Sequence, residues 1–323
     1  MSNGQEIDAV VSPNPADQDV LLTDATIPPV ETAGRDKFIG RMAMVAAAVM
    51  WSSSGLFAKM PLFDDWPPNS QGAMLAFWRS VFATLVLLPA IRRPRWNRFL
   101  VPLTICFTLM NILYLTSMTR TTAANAIWLQ STAPWWVFLL GVFALREPIA
   151  RKDLVPLVFA FFGVGTILVF EVRGEAQLGV FCGLASGVAY ASVVLLMRQV
   201  RAENPGWIVA LNHAVAALVL LPWILWLDRW PSPVQLAVLA VFGAFQMGIP
   251  YLLLFRALRS VSSHEAVAIG LIEPVLAPFW AFWACGEQPA WWTALGAAMI
   301  LVGLLLRYVV WDFAVEHVRR RVG

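Results

Sequence analysis

Three ionisable side chains stand inside long apolar runs. Arg79 follows Met74-Leu75-Ala76-Phe77-Trp78, Glu273 follows Gly270-Leu271-Ile272, and His213 follows Ala210-Leu211-Asn212. An arginine offers a rigid two-pronged donor set that fits a carboxylate. A glutamate can hold a cation or carry a proton. Arg79 and Glu273 therefore suit either pairing with each other or gripping opposite ends of a zwitterion. His213 titrates near neutrality in water and could relay a proton. The plainer roles are also open: Arg79 capping backbone carbonyls or reaching for the interface, Glu273 tying helices together, and His213 as a neutral hydrogen-bonding group between helices. Asn111, Tyr114, Gln130, Gln246 and Tyr190 are further polar groups in apolar surroundings. With Trp51 they are candidate lining for a binding cavity, and Trp51 and Tyr190 are candidate aromatic walls for a ring or organic cation. No metal or cofactor is expected. Cys106, Cys182 and Cys285 are far apart and read as small core residues, and three histidines do not make a metal cluster.

The elements that hold these residues follow from composition. Of 323 residues, 59% are apolar and only 13% charged. That is about half the charge of an ordinary soluble domain, too little to cover a water-facing surface. A disordered scaffold, a disulfide-rich module and a nucleic-acid binder are excluded. Ten apolar runs approach the roughly 20 residues that a spanning helix needs: 38–60, 71–91, 99–118, 121–145, 153–171, 177–198, 206–228, 233–258, 262–285 and 290–311. The connections are short and hold no nucleotide-binding loop. Arg79 and Glu273 fall about eight and ten residues into their runs, near mid-depth at about 1.5 Å per residue. A charge at that depth costs about 2.5–3.5 kcal/mol, so it usually faces a wet cavity or a partner.

Basic residues give the orientation. The tails and even-numbered connections hold 18 of the 23 Lys and Arg, including the cluster Arg92, Arg93, Arg95 and Arg98. The positive-inside rule then places both termini in the cytoplasm of a multi-pass cell-membrane protein. Residues 1–37 are polar, acidic and proline-bearing, and read as a disordered cytoplasmic tail rather than a secretory signal. Residues 312–323 read as a basic cytoplasmic tail.

The chain also repeats itself. At an offset of 140, Ala126, Pro134, Glu147 and Gly163 match Ala266, Pro274, Glu287 and Gly303. At 133, the string Leu85-Val86-Leu87-Leu88-Pro89 returns as Leu218-Val219-Leu220-Leu221-Pro222. Two five-helix units are expected, at 38–171 and 177–311. Five is odd, so the second unit enters the membrane inverted. The fold class is thus all-α integral membrane, with ten transmembrane helices as two inverted five-helix repeats. The charges break the symmetry, since Arg79 aligns with Asn212 and Glu273 with Ala133. Pro134 and Pro274 are repeat partners inside spans and are expected to kink them as paired hinges. Gly179, Gly183, Gly187 and Ala191 form a small-residue face for close helix packing. Glu147 and Glu287 end their spans and read as structural caps on helix starts.

Arg79, the series Ala126 … Pro134 … Arg146-Glu147 … Gly163, and the series Ala266 … Glu273-Pro274 … Gly286-Glu287 … Gly303 together resemble the EamA-type branch of the drug/metabolite transporter superfamily, over nearly all of 38–310. The resemblance implies a ten-helix carrier, often an exporter of amino acids or other small metabolites. It also implies a central cavity lined by spans one to four and six to nine. The expectation is a secondary transporter of a small, amino acid-like metabolite, working by alternating access and not an enzyme, with export coupled to proton entry as the preferred version and facilitated diffusion next. Its partners are the substrate and the lipid bilayer, with no nucleic acid, and a homodimer is left open. Alternatives are import of an anion held by Arg79, a membrane-embedded lipid-modifying enzyme, and a non-transporting membrane scaffold.

Overall fold

The computed structural model describes residues 30–143, 151–171, 176–261 and 263–306. Of the expected tails at 1–37 and 312–323, residues 1–29 and 312–323 lie outside the described residues, as does the expected cap Glu147, while residues 30–37 are helical rather than disordered. Within them the architecture is all-helical, with no strand. The helices are α1 Val30–Ser52, α2 Ser54–Ala58, α3 Pro68–Leu87, α4 Leu100–Arg120, α5 Ala123–Gln130, α6 Ala133–Phe143 and α7 Arg151–Glu171. The second half holds α8 Gln177–Gln199, α9 Pro205–Leu227, α10 Pro233–Val241, a wide π-type turn Phe242–Gly248, α11 Ile249–Ala257, α12 Ser263–Gly270, α13 Ile272–Cys285 and α14 Trp291–Leu305.

Five helical stretches are long and apolar enough to cross a membrane: Pro68–Ala90, Leu100–Arg120, Gln177–Gln199, Pro205–Leu227 and Pro233–Ala257. Shorter apolar stretches run Phe161–Phe170 and Trp291–Leu305. Helix α1 begins at Val30, ahead of the expected boundary at 38, with a polar first part bearing Glu31, Arg35, Asp36 and Lys37.

Three of the expected continuous spans are broken. The first breaks at Ser53, the fourth at Ser131–Thr132 and the ninth at Leu271. The prolines explain the last two. Pro134 cannot donate to the carbonyl of Gln130, and Pro274 cannot donate to that of Gly270. Those are the residues at which α5 and α12 end. Each proline then sits in the first turn of the next helix, where its missing N–H costs little. So Pro134 and Pro274 divide their spans into half-helices rather than bending continuous ones. Hydroxyls secure two of the breaks. Ser53 Oγ donates to Met50 O at 2.6 Å, Ser131 Oγ to Ile127 O at 2.7 Å and Thr132 Oγ1 to Leu129 O at 2.6 Å.

Side-chain caps start several helices. Asn125 N–H donates to Thr122 Oγ1 ahead of α5, Trp207 N–H to Asn204 Oδ1 ahead of α9, and Ser232 and Gln235 form a reciprocal capping box on α10. Inside lipid, helices associate through close packing more than through burial of apolar area. The small face of α8 serves that end. A Cβ on Gly179 would lie 2.8 Å from Thr121 N, and one on Gly187 would lie 3.0 Å from Leu129 O. Likewise α7 and α14 touch through Gly163 and Gly296, each with its Cβ position 2.6 Å from the other's carbonyl oxygen.

Both halves of the fourth span, α5 and α6, pack on α8, and both halves of the ninth, α12 and α13, pack on α1. The two broken spans touch each other through α5 and α13, and α13 also packs on α2. Residues 134–140 of α6 and 269–273 around the α12–α13 break are all half-buried, except Pro274 just beyond, which is buried.

Candidate functional site

Helix α3 presents Arg79 to the interior, where it is 1% exposed. Its Nη1 donates to Gln246 Oε1 at 2.9 Å, and its Nη2 donates to Asn111 Oδ1. The guanidinium carbon lies 5.3 Å from the centre of the Phe242 ring. Asn111 is fixed by its own amide, which donates to Ser80 Oγ at 2.8 Å and Ala76 O at 3.4 Å. Gln246 Nε2 donates to Trp51 O at 3.3 Å. Helices α1, α3 and α4 and the π-type turn are therefore joined through one guanidinium. The turn makes this geometry. Gly243 and Gly248 lie flat on α3, with Cβ positions 2.6 Å from Arg79 O and from Val86 Cγ1. No side chain could stand there, and Gln246 between them faces the arginine.

Tyr114 is buried and shares a 2.7 Å hydrogen bond with Ser54 at the start of α2. His213 is fully buried on α9. Its Nδ1 lies 3.5 Å from Ser80 Oγ, and its ring meets Phe107 edge-on at 4.9 Å. That is the surrounding of a histidine locked between helices, reached from Arg79 through Asn111 and Ser80. Glu273 opens α13, directly beyond the break at Leu271, and is half-buried. The described residues form no ion pair or hydrogen bond with its carboxylate. Trp51 meets Tyr251 edge-on at 5.4 Å.

Of the residues singled out in the sequence, Arg79, Asn111, Gln246 and Trp51 form one bonded group. Tyr114, His213 and Glu273 border it. Tyr190 is 42% exposed on α8. Gln130 closes α5 at the break and is half-buried. Pro134 and Pro274 frame the two breaks. Sequence reasoning missed Ser80, Phe242 and Tyr251, and also Ser52, which accepts from Trp280 Nε1 at 2.8 Å. Nothing in an apolar run marks which serine or aromatic will face a buried charge.

Glu287 does cap a helix, though not the following one. Its Oε1 accepts from Ala123 N–H at 2.5 Å, at the start of α5 in the other half of the chain. Its Oε2 lies 3.7 Å from Lys59 Nζ, which donates to Thr121 O at 2.6 Å.

A model of the EamA-like transporter family matches the chain twice, over residues 38–169 and 177–309. The chain belongs to the EamA-like transporter family. This family member is similar to an uncharacterised transporter of Archaeoglobus fulgidus, 28% identical over 274 residues, which cover 83% of this chain and 96% of that one. It is also similar to the uncharacterised transporter YxxF of Bacillus subtilis, 25% identical over 303 residues, covering 86% and 92%. A solved crystal structure shares the fold at a TM-score of 0.59 and 16% identity, covering 86% of this chain and 98% of that one. As an EamA-like transporter the protein is a multi-pass membrane protein of the transporter type, and proteins of this type are generally not enzymes.

Proposed function

We propose that this EamA-like protein is a secondary transporter that exports a small, amino acid-like organic metabolite by alternating access, with proton entry as the coupled step. In this reading ten spans form two inverted five-helix repeats, and both termini are cytoplasmic. The observation that carries it is a buried polar group around Arg79 together with broken helices in both repeats, whose half-helices α5 and α13 pack on each other. Discontinuous helices in equivalent positions of two repeats are where secondary transporters place substrate. With the termini inside, the α6/α12 end is cytoplasmic and the α5/α13 contact closes the path on the outer side in this reading.

Arg79 is sealed in this conformation, so its first role is to knit α1, α3, α4 and the π-type turn together and to set a positive potential along the path. Glu273, half-buried beside the break at Leu271, is the charged group that meets the substrate. It takes the amine end of the substrate when ionised and carries a proton on the return. A substrate carboxylate is held by the potential of Arg79 and reaches its free Nε–H only if the group rearranges. The test is an uptake and counterflow screen of pooled metabolites in proteoliposomes, with and without a pH gradient. Glu273→Gln is expected to retain binding of a neutral analogue and to lose pH-driven transport. Wild-type pH-driven transport in both Glu273→Gln and Arg79→Ala would refute the assignment.

A further inference from the structure

We propose that Glu287, together with Lys59, is the outer gate of the transport path. The inference rests on the alternating-access reading above. It begins with one backbone residue. Gly286 ends α13 in the left-handed region at φ 65°. Gly286 N–H donates to Phe282 O at 3.0 Å, the bond of an αL stop, and Glu287 N–H donates to Ala281 O at 3.3 Å. That turn swings Glu287 away from its own helix and over the start of α5. There its carboxylate accepts the Ala123 N–H and faces Lys59, so one side chain of the second repeat grips two elements of the first.

The position of this grip is what a gate requires. On its inner side the packing is dry. A Cβ on Gly55 would stand 3.0 Å from Ala123 Cβ and 3.7 Å from Ala281 Cβ, and Phe57, Ala126, Ala277 and Ala281 are all buried. On its outer side lies a pocket of about 510 Å³ lined by Lys59, Thr119, Arg120, Thr121, Thr122, Ala176 and Glu287. The pair is thus the boundary between a closed apolar plug and a polar mouth. The two side chains are 23% and 16% exposed, while Glu287 Oε2, the oxygen that faces Lys59, is itself buried. Moving α13 away from α5, as an outward-open state demands, must break the Glu287–Ala123 bond first. At the opposite end Glu265 of α12 pairs with Arg41 and Lys37 of α1, a contact that leaves α6 on α8 untouched.

A helix cap alone would also explain Glu287, so the experiment reads sidedness. The reporter is Ser131→Cys at the break, on a background without Cys106, Cys182 and Cys285. It is labelled with a membrane-impermeant maleimide from each face of oriented vesicles. Glu287→Ala and Lys59→Met are each expected to raise outer-face labelling about fivefold or more and to lower inner-face labelling. Glu287→Gln keeps an acceptor for Ala123 N–H and is expected to stay closed. Outer-face labelling equal to the parent in either Glu287→Ala or Lys59→Met overturns the gate and leaves transport itself intact. A parent reporter reached from neither face, with or without a pH gradient, overturns the alternating-access reading and the gate with it.

Discussion

Replacing Arg79 by methionine tests the polar group most directly. Methionine fills most of the side-chain volume, so the cavity contribution is small. What is lost is the donor to Gln246 Oε1 and to Asn111 Oδ1. Two interhelical bonds at the average measured inside membranes would cost only about 1 kcal/mol in total. Two buried carbonyl oxygens left without donors would instead cost about 2–6 kcal/mol. The larger figure should win. Asn111 and Gln246 are 1% and 2% exposed, and their amide nitrogens are held by Ser80, Ala76 and Trp51, so neither oxygen can turn to a new partner. The assay is thermal and denaturant unfolding of purified protein in detergent, with Arg79→Met compared with Arg79→Met/Asn111→Leu/Gln246→Met. The triple variant removes the stranded acceptors and should recover much of the loss, the non-additivity expected of a shared network. A single variant within about 0.5 kcal/mol of wild type, or a triple variant no better than the single, would show that the arginine does not organise these helices.

Other expectations are independent of that group. Gly163→Ala and Gly296→Ala each drive a methyl group into the partner's carbonyl and should each cost about 1–3 kcal/mol in unfolding experiments. The double variant should cost less than the sum, because one methyl already parts α7 from α14. Gly286→Ala has open space around its new Cβ, so its loss should be the conformational cost of the left-handed region alone, about 1–2 kcal/mol, with Gly286→Asn milder. Burial pushes the Glu287 carboxyl above the ordinary carboxylate value, against the pull of Lys59 and of the Ala123 N–H. The other charge at that pocket is Arg120. A closed end with a raised value binds a proton more readily than an open end in which Glu287 is hydrated. Lowering the outer pH through that raised value should therefore favour closure, and raising it above should remove the advantage. In the labelling assay Glu287→Gln should lose this pH response while staying closed. That sign suits an exporter in which outside protons send the carrier back inward.

Much of this arrangement was legible in the chain, and the limits have physical causes. Arg79, Asn111, Gln246 and Trp51 stood out because polar groups at membrane depth need partners, and the fold brings those four together. Pro134 and Pro274 marked the right places but suggested bends. Their effect falls four residues earlier, on carbonyls that lose a donor, and there the helices end. Trp51 and Tyr190 stand 139 residues apart, at equivalent positions of the two repeats, and such equivalence does not say which face each one presents. Helices that are apolar all round give no stripe from which a face could be read, so Ser80, Phe242 and Tyr251 left no signal. Glu287 announced a cap, but its partner lies 164 residues away across the repeat boundary, a distance that no local pattern encodes.

The wide turn at Phe242–Gly248 makes one stretch of this chain unforgiving in a way its composition conceals. A π-type turn is an α-helix carrying one extra residue, so deleting one there would tighten it into ordinary α-helix and leave the helix beyond nearly in register, with Tyr251 still against Trp51 and His213. What would be lost is the position of Gln246 within the stretch, which would no longer address the arginine. Conservative swaps such as Ala244→Ser leave the winding alone. Along this span the count of residues matters more than their chemistry, so length changes between relatives should accumulate in the surface connections and stop short of this helix.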